Sequence, residues 1–251
     1  MALAIVAAAV GGLLVGSFLN VVIARVPKRE SPVGGRSRCP SCGATIRARD
    51  NLPIVSWLLL RGRCRDCGAP ISVRYPIVEA GTAALYALTV AVHYDDVTRL
   101  VLGLVLVTFL VPITAIDLEL RIIPNRLTLP AAVIAVLLGT AIDPSGEVER
   151  LIAGVAAGLF LAIPALITPG KMGMGDGKLT GVMGLYLGAA VGPAILIGLL
   201  AGTLVGVIIV ARVGMSAGRK TAVPFGPFLA FGGVVAMLLG EPMLDWYLDT
   251  F

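Results

Sequence analysis

The stretch Lys171-Met172-Gly173-Met174-Gly175-Asp176-Gly177-Lys178-Leu179 decides how the rest of the chain is read. It sets one carboxylate among glycines, directly between two long apolar runs. Beside a bilayer an ionisable side chain is costly unless the protein uses it, so Asp176 reads as functional. A second acid, Asp117 in Ile116-Asp117-Leu118-Glu119, holds a similar position at the end of another apolar run. Two carboxylates brought together cannot both ionise cheaply. One then draws a proton from water while the other donates to a carbonyl oxygen, with no need for metal or a nucleophilic side chain. Asp117 and Asp176 are therefore the candidate catalytic pair. The same residues also allow plainer roles, Asp176 as a helix cap and Asp117 as a helix end in the headgroup region.

Working outward, the composition is that of a membrane protein. Of 251 residues 57% are hydrophobic and 14% charged, where soluble domains carry about 25% charged residues. Apolar runs fall at 2–24, 75–93, 97–116, 128–142, 149–167, 178–191, 193–211 and 222–243. The expected fold is an all-α polytopic membrane protein of about eight transmembrane helices, with a small cytoplasmic zinc-binding loop domain between the first and second. The fourth and sixth runs are shorter than the ~20 residues a crossing helix needs, so they are broken, tilted or extended by polar flanks. Gly154 with Gly158, Gly184 with Gly188 and Gly202 with Gly206 are spaced four apart, a pattern that lets helices approach closely. The N-terminus lacks the positive region of a cleavable signal, so the first run is read as a retained span.

Charge asymmetry supplies the orientation. Residues 25–74 hold eleven Lys/Arg against three Asp/Glu. Alternating from that segment, the inner connections are 117–127, 168–180 and 211–221, and these four segments hold eighteen of the twenty basic residues. Only Arg99 and Arg150 fall outside, while the opposite connections carry Asp95, Asp96, Asp143, Glu147, Glu149, Glu241, Asp245 and Asp249. By the positive-inside rule the basic side is cytoplasmic, both termini are extracytoplasmic, and Asp117 and Asp176 share the cytoplasmic side. The basic segment thus reports a membrane face, with anionic lipid as its natural counterpart and no nucleic acid implied.

That segment carries Cys39-Pro40-Ser41-Cys42-Gly43 and Cys64-Arg65-Asp66-Cys67-Gly68. Two CxxC pairs offer four thiolates, enough for a closed tetrahedral Zn2+ site, and the glycines suit tight knuckle turns. Disulfides are disfavoured on a reducing face. The apolar stretch Leu52–Leu60 inside this segment is too short to span; it packs on the module or lies at the interface. Serine or cysteine catalysis lacks a base, because the one histidine, His93, falls on the outer side. Around the acids, Gly173, Gly175 and Gly177 leave room for a peptide backbone. Lys178 either acts on an aspartate or a substrate carbonyl, or simply snorkels to the interface.

Taken together, the ordered set of motifs resembles the bacterial type IV prepilin peptidase family nearly end to end. The residues that carry it are Gly16-Ser17-Phe18-Leu19-Asn20 through Arg25-Val26-Pro27, the two CxxC pairs, Asn51-Leu52-Pro53-Ile54-Val55-Ser56-Trp57 and Arg74-Tyr75-Pro76-Ile77-Val78-Glu79. Then come Ile116-Asp117, Ile123-Pro124-Asn125-Arg126-Leu127-Thr128, the Gly-Met-Gly-Asp loop and Pro224-Phe225-Gly226-Pro227-Phe228. The resemblance implies an intramembrane-type aspartyl protease that removes the cationic leader of prepilins or pseudopilins, with Asp117 and Asp176 as catalytic acids. With the cysteine loop present it also implies N-methylation of the new N-terminus from S-adenosylmethionine. Glu79 and Asn20 would then contact substrate or serve in packing. Asn125 stands where many relatives carry Asp, and Gly177 where many carry a bulkier residue. The domain division expected is 1–24 as first helix, 25–74 as zinc module and 75–251 as a membrane peptidase domain of seven helices. The rival class is a transporter relaying protons or cations through intramembrane acids; a membrane-anchored zinc adaptor is a second.

Overall fold

Within a bilayer every backbone N–H and C=O must be satisfied inside the segment, so apolar runs of this length fold as helices. A computed structural model of the protein describes residues 1–167, 173–214 and 223–250, and they are nearly all helical. In chain order the helices are α1 (Ala2–Arg25), α2 (Val55–Leu59), α3 (Arg74–His93), α4 (Val97–Leu120), α5 (Asn125–Ile142), α6 (Glu147–Ile167), α7 (Met174–Leu187), α8 (Val191–Val213) and α9 (Gly226–Thr250). Lys171 and Met172, with Arg219 and Lys220 of the expected inner connections, lie outside the described residues.

The eight apolar runs fall on eight long helices, but among the described residues six helical stretches are long and apolar enough to cross a membrane. The difference has a local cause. Met174–Val213 counts as one stretch of 40 residues, and Gly226–Gly240 as a shorter apolar helix. Inside the long stretch Gly188 has φ +56°, and a 3-10 turn, Gly188–Ala190, separates α7 from α8. Positive φ is open to glycine because no Cβ clashes there. With 14 residues, α7 rises only ~21 Å, short of the ~30 Å hydrocarbon layer. The fourth run is lengthened by its polar flank, α5 starting at Asn125.

The chain forms two compact units, Met1–Asp95 and Asp96–Phe251. In the first, α1 and α3 run antiparallel. A Cβ on Gly12 would stand 2.7 Å from the Ala83 Cα, and one on Gly16 2.8 Å from the Glu79 Cα. Backbone therefore packs on backbone, the small-residue contact that membrane helices use when lipid removes the hydrophobic drive between them. This pair is not among the three glycine pairs expected from spacing.

In the second unit α4 is the core helix, with half of its apolar window buried against 17–28% for the other candidate spans. Leu106, Val107 and Ile113 are fully enclosed. Of the expected glycine pairs, Gly154 and Gly158 do meet a neighbour: α6 lies on α7 with Gly154 and Gly158 against Gly181, and Gly184 against Ala153 and Gly154. Gly188 ends a helix instead, Gly202 faces the Phe225 and Phe228 rings, and Gly206 meets nothing within 4 Å. Tyr186 Oη donates to Ala131 O at 2.8 Å, tying α7 to α5.

The two cations that broke the charge pattern are both neutralised. Arg99 pairs with Asp96 at 3.2 Å. Arg150 pairs with Asp143 at 2.8 Å and Glu147 at 3.1 Å. The Ser145 hydroxyl and the Arg150 guanidinium hold the Asp143 carboxyl down to about 2.

Gly184→Ala is expected to destabilise the protein by about 1–3 kcal/mol, because the new methyl meets backbone that cannot yield. Gly206→Ala, with open space around it, is expected to be neutral. Unfolding of the two variants in detergent checks this; equal losses would contradict the helix contact.

Candidate active site and metal centre

Asp117 lies in the last turn of α4, before a left-handed cap at Arg121. It is 5% exposed, so protein encloses it although it lies at the helix end. Its Oδ2 accepts the Gly226 N–H at 3.0 Å. Gly226 opens α9, and a helix start presents unpaired N–H groups and a partial positive charge that suit a carboxylate. A Cβ on Gly226 would lie 2.6 Å from Asp117 Oδ2, so the bond exists in this form only because the residue is glycine.

Asp176 sits in the first turn of α7, half-buried. The helix cap is Gly173, with no side-chain bond, so Asp176 is not used as the cap. Among the described residues no hydrogen bond reaches its carboxylate. What brings the two acids together is Ile123, on the short link between α4 and α5. The Ile123 side chain is 3.0 Å from where a Gly175 Cβ would be and 3.4 Å from where a Gly226 Cβ would be. It is thus a spacer between the starts of α7 and α9, with Asp117 bonded to Gly226 on one side of it and Asp176 following Gly175 on the other. Two like charges in such a pair favour holding one proton between them.

The other residues expected here are placed as follows. Gly175 is filled from the side by Ile123, and Gly177 by Ala162, whose Cβ is 3.0 Å from the position a Gly177 Cβ would take. Those glycines serve helix contacts within the protein. Gly173 is exposed, and a side chain there would meet Asp176 Oδ2 at 3.6 Å. Lys178 Nζ donates to Asn125 Oδ1 at 3.0 Å and so braces α7 on the start of α5. Residues two apart on a helix do not face each other, so Lys178 and Asp176 point different ways. Gly226 and Ile123 are the site residues that inspection of the residues passed over. Their signal was the Ile123-Pro124 and Phe225-Gly226-Pro227 motifs, which carry no chemistry of their own.

In the first unit Glu79 and Asn20 are both buried. Glu79 Oε2 accepts the Ile54 N–H at 2.6 Å. Asn20 Nδ2 donates to Tyr75 O at 3.1 Å, while its Oδ1 has no partner among the described residues.

The four cysteines form a matched pair of knuckles. Cys39 N–H reaches Ala44 O and Gly43 N–H reaches Cys39 O; Cys64 N–H reaches Ala69 O and Gly68 N–H reaches Cys64 O. Gly43 and Gly68 take φ +73° and +72°, which the turns require. All four Sγ atoms lie within 4.8 Å of one another. Cys39 Sγ and Cys67 Sγ are 3.8 Å apart. A tetrahedral ion with ~2.3 Å metal–sulfur bonds needs sulfurs ~3.8 Å apart, whereas a disulfide needs ~2.05 Å. The donor set fits one thiophilic ion.

Comparison with known proteins gives a consistent picture. Residues 10–94 match the Bacterial Peptidase A24 N-terminal domain, and residues 104–240 match the Type IV leader peptidase family. The chain is 37% identical to a prepilin leader peptidase/N-methyltransferase of Aeromonas hydrophila, over 95% of this chain and 92% of that protein. It is 36% identical to the protein of the same name from Dichelobacter nodosus, over 91% of this chain and 89% of that one. It is 33% identical to a type 4 prepilin-like proteins leader peptide-processing enzyme of Escherichia coli, over 93% of each. No solved structure matches.

From the sulfur geometry, purified protein is expected to carry one metal ion per chain and Cys39→Ser to carry none, measured by elemental analysis. A metal-free preparation with the knuckles still folded would contradict the assignment.

Proposed function

Because this chain belongs to the type IV leader peptidase family, we propose that Asp117 and Asp176 are the aspartyl dyad with which it cuts prepilins. The chain is a prepilin peptidase with N-methyltransferase activity, as the family and the named relatives indicate, and a multi-pass protein of the inner membrane. The transporter alternative has no support in these comparisons. The observation that carries the dyad assignment is the junction of α4, α7 and α9 around Ile123, which sets Asp117 and Asp176 on either side of one side chain.

On this reading the roles follow from acid–base chemistry. A water between the carboxyls loses a proton to the ionised one as it attacks the scissile carbonyl, while the protonated one gives its proton to the carbonyl oxygen. Collapse returns a proton to the leaving amine and resets the pair. Gly226 N–H keeps the Asp117 carboxyl aimed. The substrate class is a prepilin or pseudopilin, with a cationic leader ahead of an apolar helix. The bond to be cut then lies near the inner headgroups, at the depth of a dyad sitting at helix ends. On this reading the site faces the cytoplasm and both termini are extracytoplasmic, following the basic inner connections.

The ion in the four-cysteine module is assigned as structural Zn2+, since four thiolates leave no open position for chemistry. The methyl donor for the second activity is assigned as S-adenosylmethionine, which supplies an electrophilic methyl group. Anionic lipid is the assigned counterpart of the basic residues between 25 and 74.

Asp117→Asn and Asp176→Asn are each expected to lower leader cleavage by about 10²–10⁴-fold with helical content unchanged. Mass spectrometry of a coexpressed pilin reads leader loss and N-methylation together, and full processing by either variant sinks the dyad. Cleavage against pH is expected to fall on both sides of an optimum whose limbs belong to the pair, not to one residue. A flat profile with chemistry rate-limiting contradicts it.

A further inference from the structure

In the four-cysteine segment one backbone position breaks an ordinary rule. Ile54 has φ +60° and ψ −51°, and the Val55 N–H reaches Pro53 O at 2.5 Å. This is the γ-turn of positive φ, rare and strained, and a β-branched residue suits it least. Such a conformation persists only where the surroundings over-determine it. The group that holds it is Glu79, whose carboxylate receives the Ile54 N–H at 2.6 Å. Ser56 adds a second lock: its hydroxyl donates to Arg49 O at 2.9 Å and accepts the Leu52 N–H at 3.0 Å. Trp57 adds a third, its indole N–H reaching Ile71 O at 3.2 Å.

The clamp fixes the depth of the turn. Glu79 is five residues into α3, about 7.5 Å along the axis from Arg74. Its Cα stands against Gly16 of α1, well inside the span Ala2–Lys28. Both helices are candidate membrane spans. Ile54 is therefore pinned near the second turn of a spanning helix, not out in water with the cysteine knuckles. Beside it Leu52, Val55, Leu58 and Leu59 are 53%, 50%, 61% and 76% exposed. Four large apolar side chains on one short segment would be a costly surface in water. The Leu52 and Ile54 N–H groups, the Ser56 hydroxyl and the Trp57 indole N–H all have partners, so these groups enter an apolar phase without being stranded.

We propose that Leu52, Val55, Leu58 and Leu59 form a membrane-dipping anchor that seats the four-cysteine module in the headgroup–acyl boundary of the leaflet it faces, with Glu79 as the residue that sets its depth. The occupant of this surface is lipid. Arg25 ends α1, Lys28 and Arg29 follow it, Arg61 and Arg63 follow α2, and Arg74 opens α3, so the segments that flank the apolar patch are cationic and favour anionic headgroups.

Trp57 is a native probe of this depth. In the full chain bearing Trp246→Phe it is the single tryptophan. Reconstituted in vesicles of mixed anionic and zwitterionic lipid, its emission is expected to drop at least twofold with acyl chains brominated near the headgroup, and less with bromine near the chain ends. Leu58→Asp with Leu59→Asp is expected to abolish the quenching while the protein keeps its bound metal, which separates lost insertion from lost folding. Glu79→Ala is expected to weaken the shallow quenching, and Glu79→Gln, which retains an acceptor, to restore it. Emission indifferent to both lipids overturns the proposal. So does quenching that emerges only on diluting protein in lipid, which would mean a second copy covers the patch.

Discussion

A single backbone N–H, that of Gly226, holds Asp117 in place, and the second unit depends on the conditions that allow it. The donor opens a helix, where N–H groups have no partner of their own. The residue has no side chain, since a methyl there would stand 2.6 Å from the carboxylate oxygen. The acceptor is buried, where an unpaired carboxylate would be expensive. Glycine, helix start and acid thus meet at one point, and the bond joins residues 109 apart in the chain. Ile123 then fills the gap to Gly175 and sets how far away the second acid stands.

The same economy of side chains organises the helices. Lipid is as apolar as leucine, so helices in it gain little from burying leucine on leucine and more from close backbone approach. Gly12 and Gly16 bring α1 onto α3, and Gly154, Gly158, Gly181 and Gly184 bring α6 onto α7. The second contact has a functional reach, because α7 carries Asp176 on its first turn. Gly177 belongs to this contact too. It meets Ala162, so its small size tightens the start of α7.

Some of this was legible in the residues, and the divide follows a physical line. Asp117 and Asp176 stood out because charge is rare in apolar runs. The cysteine knuckles were legible because each is local: Cys-x-x-Cys-Gly closes its own turn, and the sulfur geometry then needs only two such turns to face each other. Gly226 and Ile123 were not legible as site residues, being one glycine among thirty-one and one aliphatic among many. Their roles arise from contacts across the fold. The break near Gly188 was legible in outline, since the runs 178–191 and 193–211 read as separate and the chain parts there into α7 and α8; the positive φ that makes it was not. No residue pattern announces an isoleucine at positive φ, and the clamp from Glu79 becomes visible only once α3 is in place.

The central claim is that Asp117 and Asp176 act as one titrating unit, and carboxyl 13C NMR of aspartate-labelled protein across pH tests it most directly. Two coupled steps are expected in the native protein, with the remaining acid in either Asn variant reverting to a single independent step. Two acids that titrate independently in the native protein, each unmoved by loss of the other, would contradict the account.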